Sequence, residues 1–431
     1  MPNIEHDSTL IWLRPGMHIK RWLILLVLGI VLLALGLAYL LRYLYADVSL
    51  PSVVYYLTLQ FLPRSARALL LGGLGIGLTV LSLYQLGRSL LNPFVRPGDS
   101  DVARRMIRHH QRRRGPRIVA LGGGTGLSTL LRGLKEYSDN ITAIVSVADD
   151  GGSSGLLRQA TGMLPPGDIR QCIVALSEAE GLTGNLFEYR FTDDYGLEGH
   201  NFGNLFIAAM SDVTGSFEAG VMESSRVLAV RGRVIPSTLQ QVTLAADLRV
   251  ADGSNGHGWR RVVGESAIPA ARQQIERIFL QPEKVTAYPE AIRAILEAEI
   301  IVAGPGSLFT SVLPNLLVPS IAAAIQASSA TRIYVVNVAT QPGETADFDT
   351  EAHVEALRRH VGDLLPVVLA NDHLVASTGD QSHLEPVALP ATSPEEYLLL
   401  TADVIDESHP WRHDPAKLAR VIMDIHAEPA L

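Results

Sequence analysis

RIVALGGGTGLSTLLRGLKEYSDNITAIVSV, residues 117–147, contains the clearest structural pattern in the chain. Arg117 and the four apolar residues after it, 118–121, are typical of a buried strand, and a glycine-rich turn follows at 122–126. Apolar residues then recur at helical spacing over 127–137, and 141–147 is a second apolar run. A strand, a tight turn, a helix and another strand predict a parallel βαβ unit. We therefore expect an α/β domain with a Rossmann-like parallel sheet.

The glycine-rich turn is also a candidate phosphate site. Glycine lets the backbone approach a phosphate, and the N-terminus of the next helix directs N–H groups and the positive end of its dipole at it. The residues concerned are Gly123, Gly124, Thr125 and Gly126. The turn lacks the G-x-G-x-x-G fingerprint, and glycine also serves merely to reverse a chain. The turn alone leaves both interpretations open.

A second loop, DDGGSSG (149–155), directly follows the second predicted strand. Ligands collect at the carboxyl edge of a parallel sheet, so Asp149 and Asp150 are candidates for contacts with ribose hydroxyls or with Mg²⁺. Ser153 and Ser154 add hydroxyl groups to this loop. The alternative is an Asx-type turn that only caps the next helix.

Similar loops occur farther along the chain. The sequence GPGS (304–307) follows a predicted, largely buried strand at 298–303, and a second predicted strand at 332–337 leads into NVATQPGET (337–345). With the first two loops they predict one cleft at the carboxyl ends of four strands. A histidine and two asparagines in GHNFGN (199–204) open a predicted helix, where they can contact a sugar or a phosphate or simply stabilise the fold.

Other segments predict structure without a ligand. Asp168 reads as the N-cap of a helix that starts at Ile169, and Asp414 before Pro415 starts a final helix. Residues 231–265 are β-rich, with a hairpin signal at 252–253. The one cysteine, Cys172, reads as a small buried residue, and a lone cysteine excludes an internal disulfide.

The N-terminal region predicts a membrane anchor. Residues 22–41 and 68–87 each contain 20 residues without a charge, which is the length that crosses a hydrocarbon core. A cleaved signal peptide and a buried soluble hairpin are the weaker alternatives. We predict an anchor with two transmembrane helices at 1–95, a basic linker at 96–116 and a cytoplasmic domain at 117–431.

Charge orients this arrangement. Eight arginines lie between 96 and 117, and positive residues near transmembrane ends stay in the cytoplasm, as do Lys20 and Arg21 at the N-terminus. The expected location is therefore the bacterial inner membrane, with the linker against anionic lipids rather than serving as a nucleic-acid arm. Residues 118–431 hold 39 acidic against 21 basic side chains, which argues against nucleic acid as a partner.

Seven segments together resemble the gluconeogenesis-factor family, also called YvcK-type, within the CofD-like superfamily of 2-phospho-L-lactate transferases. The resemblance covers 117–431 and rests on GGGTGLS (122–128), VADDGGSSG (147–155), LPPGDIRQC (164–172), GHNFGN (199–204), LAVRGRVIPST (228–238), GPGSLFTSVLPNLLVP (304–319) and NVATQPGET (337–345). It implies a Rossmann-like domain that binds uridine-diphosphate sugars, particularly UDP-N-acetylglucosamine. It also implies a role in cell shape and in growth on gluconeogenic carbon sources.

The resemblance carries over a set of ligand-binding residues and no catalytic ones. The set is Gly123, Gly124, Thr125, Gly126, Asp149, Asp150, Ser153, Ser154, His200, Asn201, Asn204, Gly306, Ser307, Thr340, Gln341, Gly343, Glu344 and Thr345. Asp149 and Asp150 are the candidate Mg²⁺ ligands, and no other cofactor is implied. A regulator of this kind would act on a cell-envelope protein partner, and a homo-oligomer is left open.

Two enzyme functions compete with the regulator. The related transferases act on a nucleotide-diphosphate-linked donor with Mg²⁺, but they have Ser-Asn-Pro where this chain has GPGS at 304–307. An NAD-dependent oxidoreductase would fit the strand, GGGTG turn and helix, yet the glycine spacing differs from that of dinucleotide-binding folds. No Walker A, HExxH, nucleophile elbow or CxxC sequence is present.

Overall fold

The structure is a computed structural model of the chain. It describes residues 112–178, 181–192, 196–251, 257–374, 384–392 and 394–427, with scattered positions between 30 and 77. The chain divides into two compact units, Met1–His109 and His110–Leu431. The second unit contains every extended stretch of described residues.

Only scattered positions of the first unit are described, among them the helical residues Ile30, Val31 and 73–77. The predicted spans 22–41 and 68–87 lie largely outside the described residues, as does most of the linker at 96–116. In the part of the chain that is described, no single helix is long and apolar enough to cross a membrane. The two-helix anchor therefore stays a prediction.

The described residues of the second unit form three sheets. Its described strands are β1 (Ile118–Gly122), β2 (Ile141–Val145), β3 (Arg233–Pro236), β4 (Thr243–Ala251), β5 (His257–Val263), β6 (Ile275–Gln281), β7 (Ile300–Ala303), β8 (Thr331–Val335), β9 (Val367–Asn371), β10 (Leu398–Ala402), β11 (Ile405–Asp406) and β12 (His409–His413). The main sheet has the order β10-β9-β8-β7-β1-β2-β3. Every pairing in it is parallel, which confirms the α/β class.

The strand order reverses between β1 and β7. From β1 the chain moves outward through β2 to β3, and it later returns to the other side of β1 with β7 and runs outward to β10. Leu121 of β1 lies opposite Ile144 on one side and Ala303 on the other. In open parallel sheets such a reversal separates the two adjacent loops and leaves a crevice beyond the strand ends.

Helices cover both faces of this sheet. They span Gly124–Leu134, Gly152–Thr161, Gly167–Leu176, Leu182–Glu188, Phe202–Thr214, Phe217–Val227, Ala267–Ala270, Pro289–Glu297, Leu313–Leu316, Pro319–Ala327, Thr350–Val361 and Pro415–Ala427, with a π-helical turn at Leu308–Val312. Side chains of β1 alternate between two hydrophobic cores: Val119 and Leu121 belong to one, Ile118 and Ala120 to the other. A strand buried on both faces explains the continuous apolar run at this position.

The β-rich segment belongs to two sheets. Its first strand, β3, is the edge of the main sheet, whereas β4 pairs with β5 and β6 in a separate antiparallel sheet. The predicted hairpin turn falls among residues 252–256, outside the described residues, but the antiparallel pairing of β4 and β5 around it agrees with the prediction.

Two helix starts test the capping predictions. Asp414 accepts a hydrogen bond from the Lys417 N–H (2.7 Å) at the start of Pro415–Ala427, as predicted. The N-cap prediction for Asp168 is wrong. The helix begins at Gly167 with Pro166 as N-cap, because the two prolines stop the preceding chain earlier, and Asp168 lies inside the first turn.

Candidate functional site

A cavity of about 580 Å³ lies beyond the carboxyl ends of β1, β2, β7 and β8, at the point where the strand order reverses. Its volume is within the range of small-molecule sites, roughly 300–1,000 Å³. The lining residues are Gly123, Gly124, Thr125, Gly126, Thr129, Ser146, Asp149, Asp168, Glu265, Pro305, Gly306, Ser307, Thr310, Ser311, Asn337, Val338, Ala339, Thr340, Gln341, Pro342, Glu344, Leu384, Trp411, Arg412 and His413. The four predicted strand-end regions thus meet at one site.

The first glycine loop is shaped by close neighbours. A Cβ on Gly123 would lie 2.4 Å from a carboxylate oxygen of Asp168, and one on Gly126 would lie 2.4 Å from the Pro305 carbonyl oxygen. Gly124 has φ +57°, which L side chains rarely adopt. The N-cap of the following helix is Gly123, which has no side chain to cap it. This helix N-terminus therefore faces the cavity with its positive dipole end.

The loop at 304–307 is held by two amide side chains. Asn337 accepts a hydrogen bond from the Gly306 N–H (3.1 Å) and donates one to the Gly306 carbonyl (3.0 Å). It also donates to Gln341 (3.0 Å), whose own amide donates to the Ser307 hydroxyl (2.9 Å). This latch joins the loops after β7 and β8 and gives the cavity one fixed wall.

In the described part of the chain, four carboxyl side chains line the cavity: Asp149, Asp168, Glu265 and Glu344. Burial, and next the charge of Asp149, raise the pKa of Asp168 to about 7, although a backbone hydrogen bond from Gly124 opposes the shift. Burial, and then the charge of Asp149, raise the pKa of Glu265 to about 8. Burial also raises the pKa of Glu344, against hydrogen bonds from Thr310 and Phe309. The site can therefore hold protons near neutral pH.

The paired aspartates have different surroundings. Asp149 lines the cavity and accepts a hydrogen bond from the Gly151 N–H (2.9 Å). The Asp150 carboxylate instead accepts hydrogen bonds from the N–H groups of Glu265 and Ser266, both at 3.0 Å, and from the Ser266 hydroxyl. Asp150 thus joins this loop to the segment after β5 and is not among the lining residues.

The predicted residues at 199–204 form a polar network beside the cavity. The Ser153 hydroxyl accepts a hydrogen bond from the Asn201 N–H (3.1 Å) and lies 3.5 Å from His200 Nδ1. The Asn201 side chain caps the helix Phe202–Thr214, and Asn204 accepts a hydrogen bond from Arg170 (3.0 Å). Ser153, His200, Asn201 and Asn204 lie together, but none of them lines the cavity.

Three other predicted residues also lie outside the lining. The Ser154 hydroxyl accepts a hydrogen bond from the Gly167 N–H (3.0 Å), and the Thr345 hydroxyl accepts one from the Gln341 N–H (3.2 Å). Gly343 lies in the turn between Gln341 and Thr345, where it has φ +83° and packs closely against Pro269. These residues shape the loops, whereas Thr340, Gln341 and Glu344 reach the cavity.

Sequence reasoning missed one wall of the cavity, which is formed by Trp411, Arg412 and His413 of β12. Among the described residues that line the cavity, Arg412 is the one lysine or arginine. No motif marks these residues, and β12 is far in sequence from the glycine loops. The only local signal was an aromatic, a cation and a histidine directly before the final helix.

The predicted Mg²⁺ site depends on which carboxyl groups are free to bind the ion. Among the described residues, no group of three or more His, Cys, Asp or Glu side chains has the geometry to hold a metal ion. Mg²⁺ often binds through one or two carboxylates while substrate phosphates and water complete its shell. Asp149 fits that role from the cavity wall, whereas the Asp150 carboxylate is occupied by the segment after β5.

Comparison with known proteins places residues 118–431 in the protein family described as 2-phospho-L-lactate transferase CofD. The gluconeogenesis factor of Bacillus subtilis is 44% identical to this chain, over 73% of this chain and 99% of that protein. A gluconeogenesis-factor relative from Nostoc sp. is 46% identical and covers 96% of this chain and 91% of its own length. A crystal structure of a UPF0052 family member from Bacillus halodurans superposes with a TM-score of 0.66 at 40% identity, over 72% of this chain and 99% of that one.

Proposed function

Because this chain belongs to the CofD family and, within it, to the gluconeogenesis factors, we propose that its second unit binds a uridine-diphosphate sugar, UDP-N-acetylglucosamine in particular. Ligand binding regulates its contact with a cell-envelope protein. In this way the protein supports cell shape and growth on gluconeogenic carbon sources.

The observation that carries this proposal is a helix whose N-terminus, with Gly123 as N-cap, faces the cavity at the point where the strand order reverses. The helix Gly124–Leu134 has no side-chain cap. A side chain at Gly123 or Gly126 would clash with neighbouring atoms, so only glycine fits at these positions. Backbone N–H groups and a helix dipole at such a point favour a phosphate group. A diphosphate at the loop would direct its nucleoside and sugar along the cavity.

The charges of the cavity restrict how an anion binds. Arg412 supplies a positive charge to the cavity lining, while the four carboxyl groups would repel a diphosphate if all were ionised. Asp168 and Glu265, with pKa values raised by burial to about 7 and about 8, are partly protonated near neutrality. Mg²⁺ bound by Asp149 would offset the remaining charge between carboxylate and phosphate.

Polar groups that could pair with the sugar hydroxyls line the cavity. Carboxyl groups, the Thr340 and Ser307 hydroxyls and the Gln341 amide line the cavity. A site that forms hydrogen bonds with ligand hydroxyls rejects ligands without them, because its polar groups are then unpaired. A polar cavity of this kind suits a nucleotide sugar better than a nicotinamide ring.

Calorimetric titration of the full chain with UDP-N-acetylglucosamine, with and without Mg²⁺, tests the proposal. We expect saturable binding that exceeds binding of a guanosine-diphosphate ligand. Replacing Arg412 by glutamine removes a charged hydrogen-bond donor and should weaken binding about tenfold or more. Arg293→Gln is the matched control, because Arg293 is exposed and pairs with Glu297 outside the cavity. Absence of uridine-ligand binding by the unmodified chain would refute the proposal.

The same carboxyl groups favour a second candidate, a 2-phospho-L-lactate transferase-like enzyme. Asp149 would hold Mg²⁺ on a nucleotide-diphosphate-linked donor, where the ion would stabilise charge on the nucleoside monophosphate that leaves when the phospho-group is transferred. Incubating the full chain with guanosine- and uridine-diphosphate-linked donors and an acceptor separates the two functions. Release of nucleotide that requires Mg²⁺ and disappears in Asp149→Asn would establish the enzyme. Tight binding without turnover would establish the regulator.

Membrane attachment is part of the same proposal. The uncharged runs 22–41 and 68–87 would anchor the protein in the inner membrane, with the 96–116 linker against anionic lipids and the main domain in the cytoplasm. We expect the full chain to remain in the membrane fraction after an alkaline wash, and a chain starting at residue 110 to be released. Release of both chains by the wash would refute the predicted membrane anchor.

A further inference from the structure

Trp411 is a residue of the cavity wall that neither the motifs nor the proposed phosphate contacts explain. Among the described residues that line the cavity, it is the one Phe, Tyr or Trp. The residue is only half-buried, so part of its surface remains open. A large aromatic side chain in this position either contributes only to packing or presents its ring to a ligand.

The indole ring is held in place by the protein. Trp411 lies on β12 and packs against one of the two hydrophobic cores of the main sheet. The ring of His409, two residues earlier on the same strand, meets the indole at an interplanar angle of 89°, with the ring centroids 5.6 Å apart. Within the described part of the chain, no aromatic ring stacks parallel on the indole. A ligand ring is therefore free to do so.

The hairpin that carries Trp411 starts at the carboxyl end of β9. The Val404 N–H donates a hydrogen bond to the side chain of Asn371, the last residue of β9 (3.2 Å). Directly after β12, the Asp414 N–H donates to the Val404 carbonyl (2.9 Å). In the main sheet β9 lies beyond β8, on the side away from β1. Trp411 therefore approaches the cavity from the β8 side of the first glycine loop.

Other apolar lining residues lie on the same side. Val338 and Ala339 follow β8 and line the cavity. Leu384 joins them because residues after it pair with the loop that follows β8. The Val387 N–H donates to the Val338 carbonyl (3.1 Å), and the Thr340 N–H donates to the Glu385 carbonyl (2.8 Å). The β8 side of the cavity thus offers apolar surface beside the indole ring.

The β2 side of the cavity is different, because two carboxyl groups line it. Asp149 follows β2, and the Glu265 N–H donates a hydrogen bond to Asp150 of the same loop (3.0 Å). In the order β8-β7-β1-β2, the glycine loop after β1 lies between these two sides. A diphosphate at that loop would have carboxyl groups on one side and apolar side chains on the other.

A nucleotide sugar carries two different groups at the ends of its diphosphate. The sugar is rich in hydroxyl groups, which pair with carboxylates, whereas the base is flat and has a π-face that stacks on aromatic side chains. We propose that Trp411 stacks on the nucleobase of the bound ligand, with the sugar on the β2 side. This inference rests on the proposed function, since it requires a nucleotide in the cavity. It makes Trp411 a specificity-determining residue that favours nucleotide sugars over sugar phosphates.

The first experiment measures affinity for UDP-N-acetylglucosamine by calorimetry on the full chain. Trp411→Leu keeps an apolar side chain on the core but removes the aromatic face, so we expect about tenfold weaker binding. Trp411→Phe keeps an aromatic face and should bind within about threefold of the unmodified chain. Trp259→Leu is the matched control, because Trp259 is 54% exposed on β5 and is not a lining residue. Equal affinity of the unmodified chain and Trp411→Leu would overturn the inference.

An analogue of the ligand with dihydrouracil as its base separates stacking from hydrogen bonding. Dihydrouracil keeps the carbonyl and N–H groups of uracil but is neither aromatic nor flat. We expect the unmodified chain to bind the analogue about fivefold more weakly than the parent ligand and Trp411→Leu to bind the two equally. If Trp411→Leu weakens binding of both ligands by the same factor, the inference is wrong. If the unmodified chain binds neither ligand, the proposed function itself has failed.

Tryptophan fluorescence of the unmodified chain covers the case in which Trp411→Leu does not fold. A base that stacks on an indole ring quenches its fluorescence. We expect quenching by UDP-N-acetylglucosamine, none by N-acetylglucosamine phosphate or inorganic diphosphate, and no quenching in Trp411→Phe. Saturable binding without quenching, or quenching that persists in Trp411→Phe, would overturn the inference.

Discussion

The loop at 122–126 and the segment at 199–204 are alike in sequence, since each opens a helix with glycine and small polar residues, yet they differ in the partners of their polar groups. At the first, Gly123 leaves the helix N-terminus without a side-chain cap at the cavity. At the second, Asn201 caps the helix and Asn204 bonds to Arg170 away from the cavity. The polar groups at the start of a helix can bind a ligand only where the fold does not already supply their hydrogen-bond partners.

The adjacent residues Asp149 and Asp150 differ in the same way. Asp149 lines the cavity, whereas Asp150 accepts three hydrogen bonds from the segment after β5. Mutations of residues that line the cavity should therefore affect ligand binding, whereas mutations of residues whose polar groups are paired within the fold should affect stability. Four experiments test the separation.

Removing Arg170 should have the largest effect on stability. Its guanidinium donates to Asn204 (3.0 Å) and to the Phe187 carbonyl (3.3 Å) in a buried setting. Arg170→Met leaves both acceptors unpaired, so we expect the free energy of unfolding to fall by about 3 kcal/mol. Denaturant unfolding measures this loss. Arg226→Met, at an exposed pair with Glu223, should change it by less than about 0.5 kcal/mol. A tenfold loss of ligand affinity in folded Arg170→Met would contradict the separation.

Gly126→Ala should affect the cavity first. The added Cβ would lie 2.4 Å from the Pro305 carbonyl oxygen and 2.7 Å from Gly306, so the two loops must move apart. We expect a loss of about 1–3 kcal/mol in stability together with at least tenfold weaker binding of UDP-N-acetylglucosamine. Gly258→Ala is the control, because a Cβ there meets nothing within 4 Å. Unchanged affinity would show that the glycine loop does not bind the ligand.

Asp168→Asn should change how stability depends on pH. Burial, and next the charge of Asp149, raise the pKa of Asp168 from 3.8 to about 7. The folded chain therefore keeps a proton that the unfolded chain releases, and the stability linked to it is fully present below pH 3.8 and lost as the pH rises to about 7. The asparagine variant lacks this loss, so its stability relative to the unmodified chain should rise between these limits, by at most about 1.4 kcal/mol per pH unit.

Unfolding curves at several pH values from 4 to 8 measure the Asp168 effect. Asp247→Asn is the control, because a hydrogen bond from Arg261 lowers the pKa of Asp247. The stability that Asp247 contributes is fully present above pH 3.8 and is lost only below it, so Asp247→Asn should shift stability by a constant amount between pH 4 and 8. Parallel pH profiles for Asp168→Asn and the unmodified chain would place the Asp168 carboxylate in a solvated setting.

Asn201→Ala should have the smallest effect. It removes a side-chain cap from Phe202–Thr214, which costs about 1 kcal/mol, and should leave ligand affinity unchanged. Asp349→Ala removes the corresponding cap of Thr350–Val361 and should cost a similar amount. Thermal unfolding and calorimetry on both variants test this. If Asn201→Ala binds the ligand more weakly and Asp349→Ala does not, the 199–204 segment contributes to the binding site.

Much of the fold was predictable because its signals are local. The strand at 117–121, the turn at 122–126 and the helix after it follow from apolar periodicity and glycine, and the structure has β1 at Ile118–Gly122 and a helix at Gly124–Leu134. Parallel strands place their following loops at the same edge, so a cleft formed by four loops could also be expected. The cavity lining confirms that these loops meet.

The individual side chains of the site were less predictable. Asp168 read as a helix cap because aspartate often caps, but the helix begins earlier and the side chain reaches the Gly123 loop. Nothing in the local sequence separates Asp149 from Asp150, because the partner of Asp150 is the segment after β5, more than a hundred residues away. Which carboxylate faces a ligand depends on such distant contacts.

The sequence by itself determined the α/β class, the order of the glycine loops and their common edge, because backbone preferences and the period of apolar residues act over a few residues. Only the tertiary structure decided that Trp411, Arg412 and His413 form one wall of the cavity, that four carboxyl groups share this cavity and that the 199–204 network lies outside its lining. The physical reason is that hydrogen-bond satisfaction and burial depend on which distant segments pack together, and no local pattern encodes that packing.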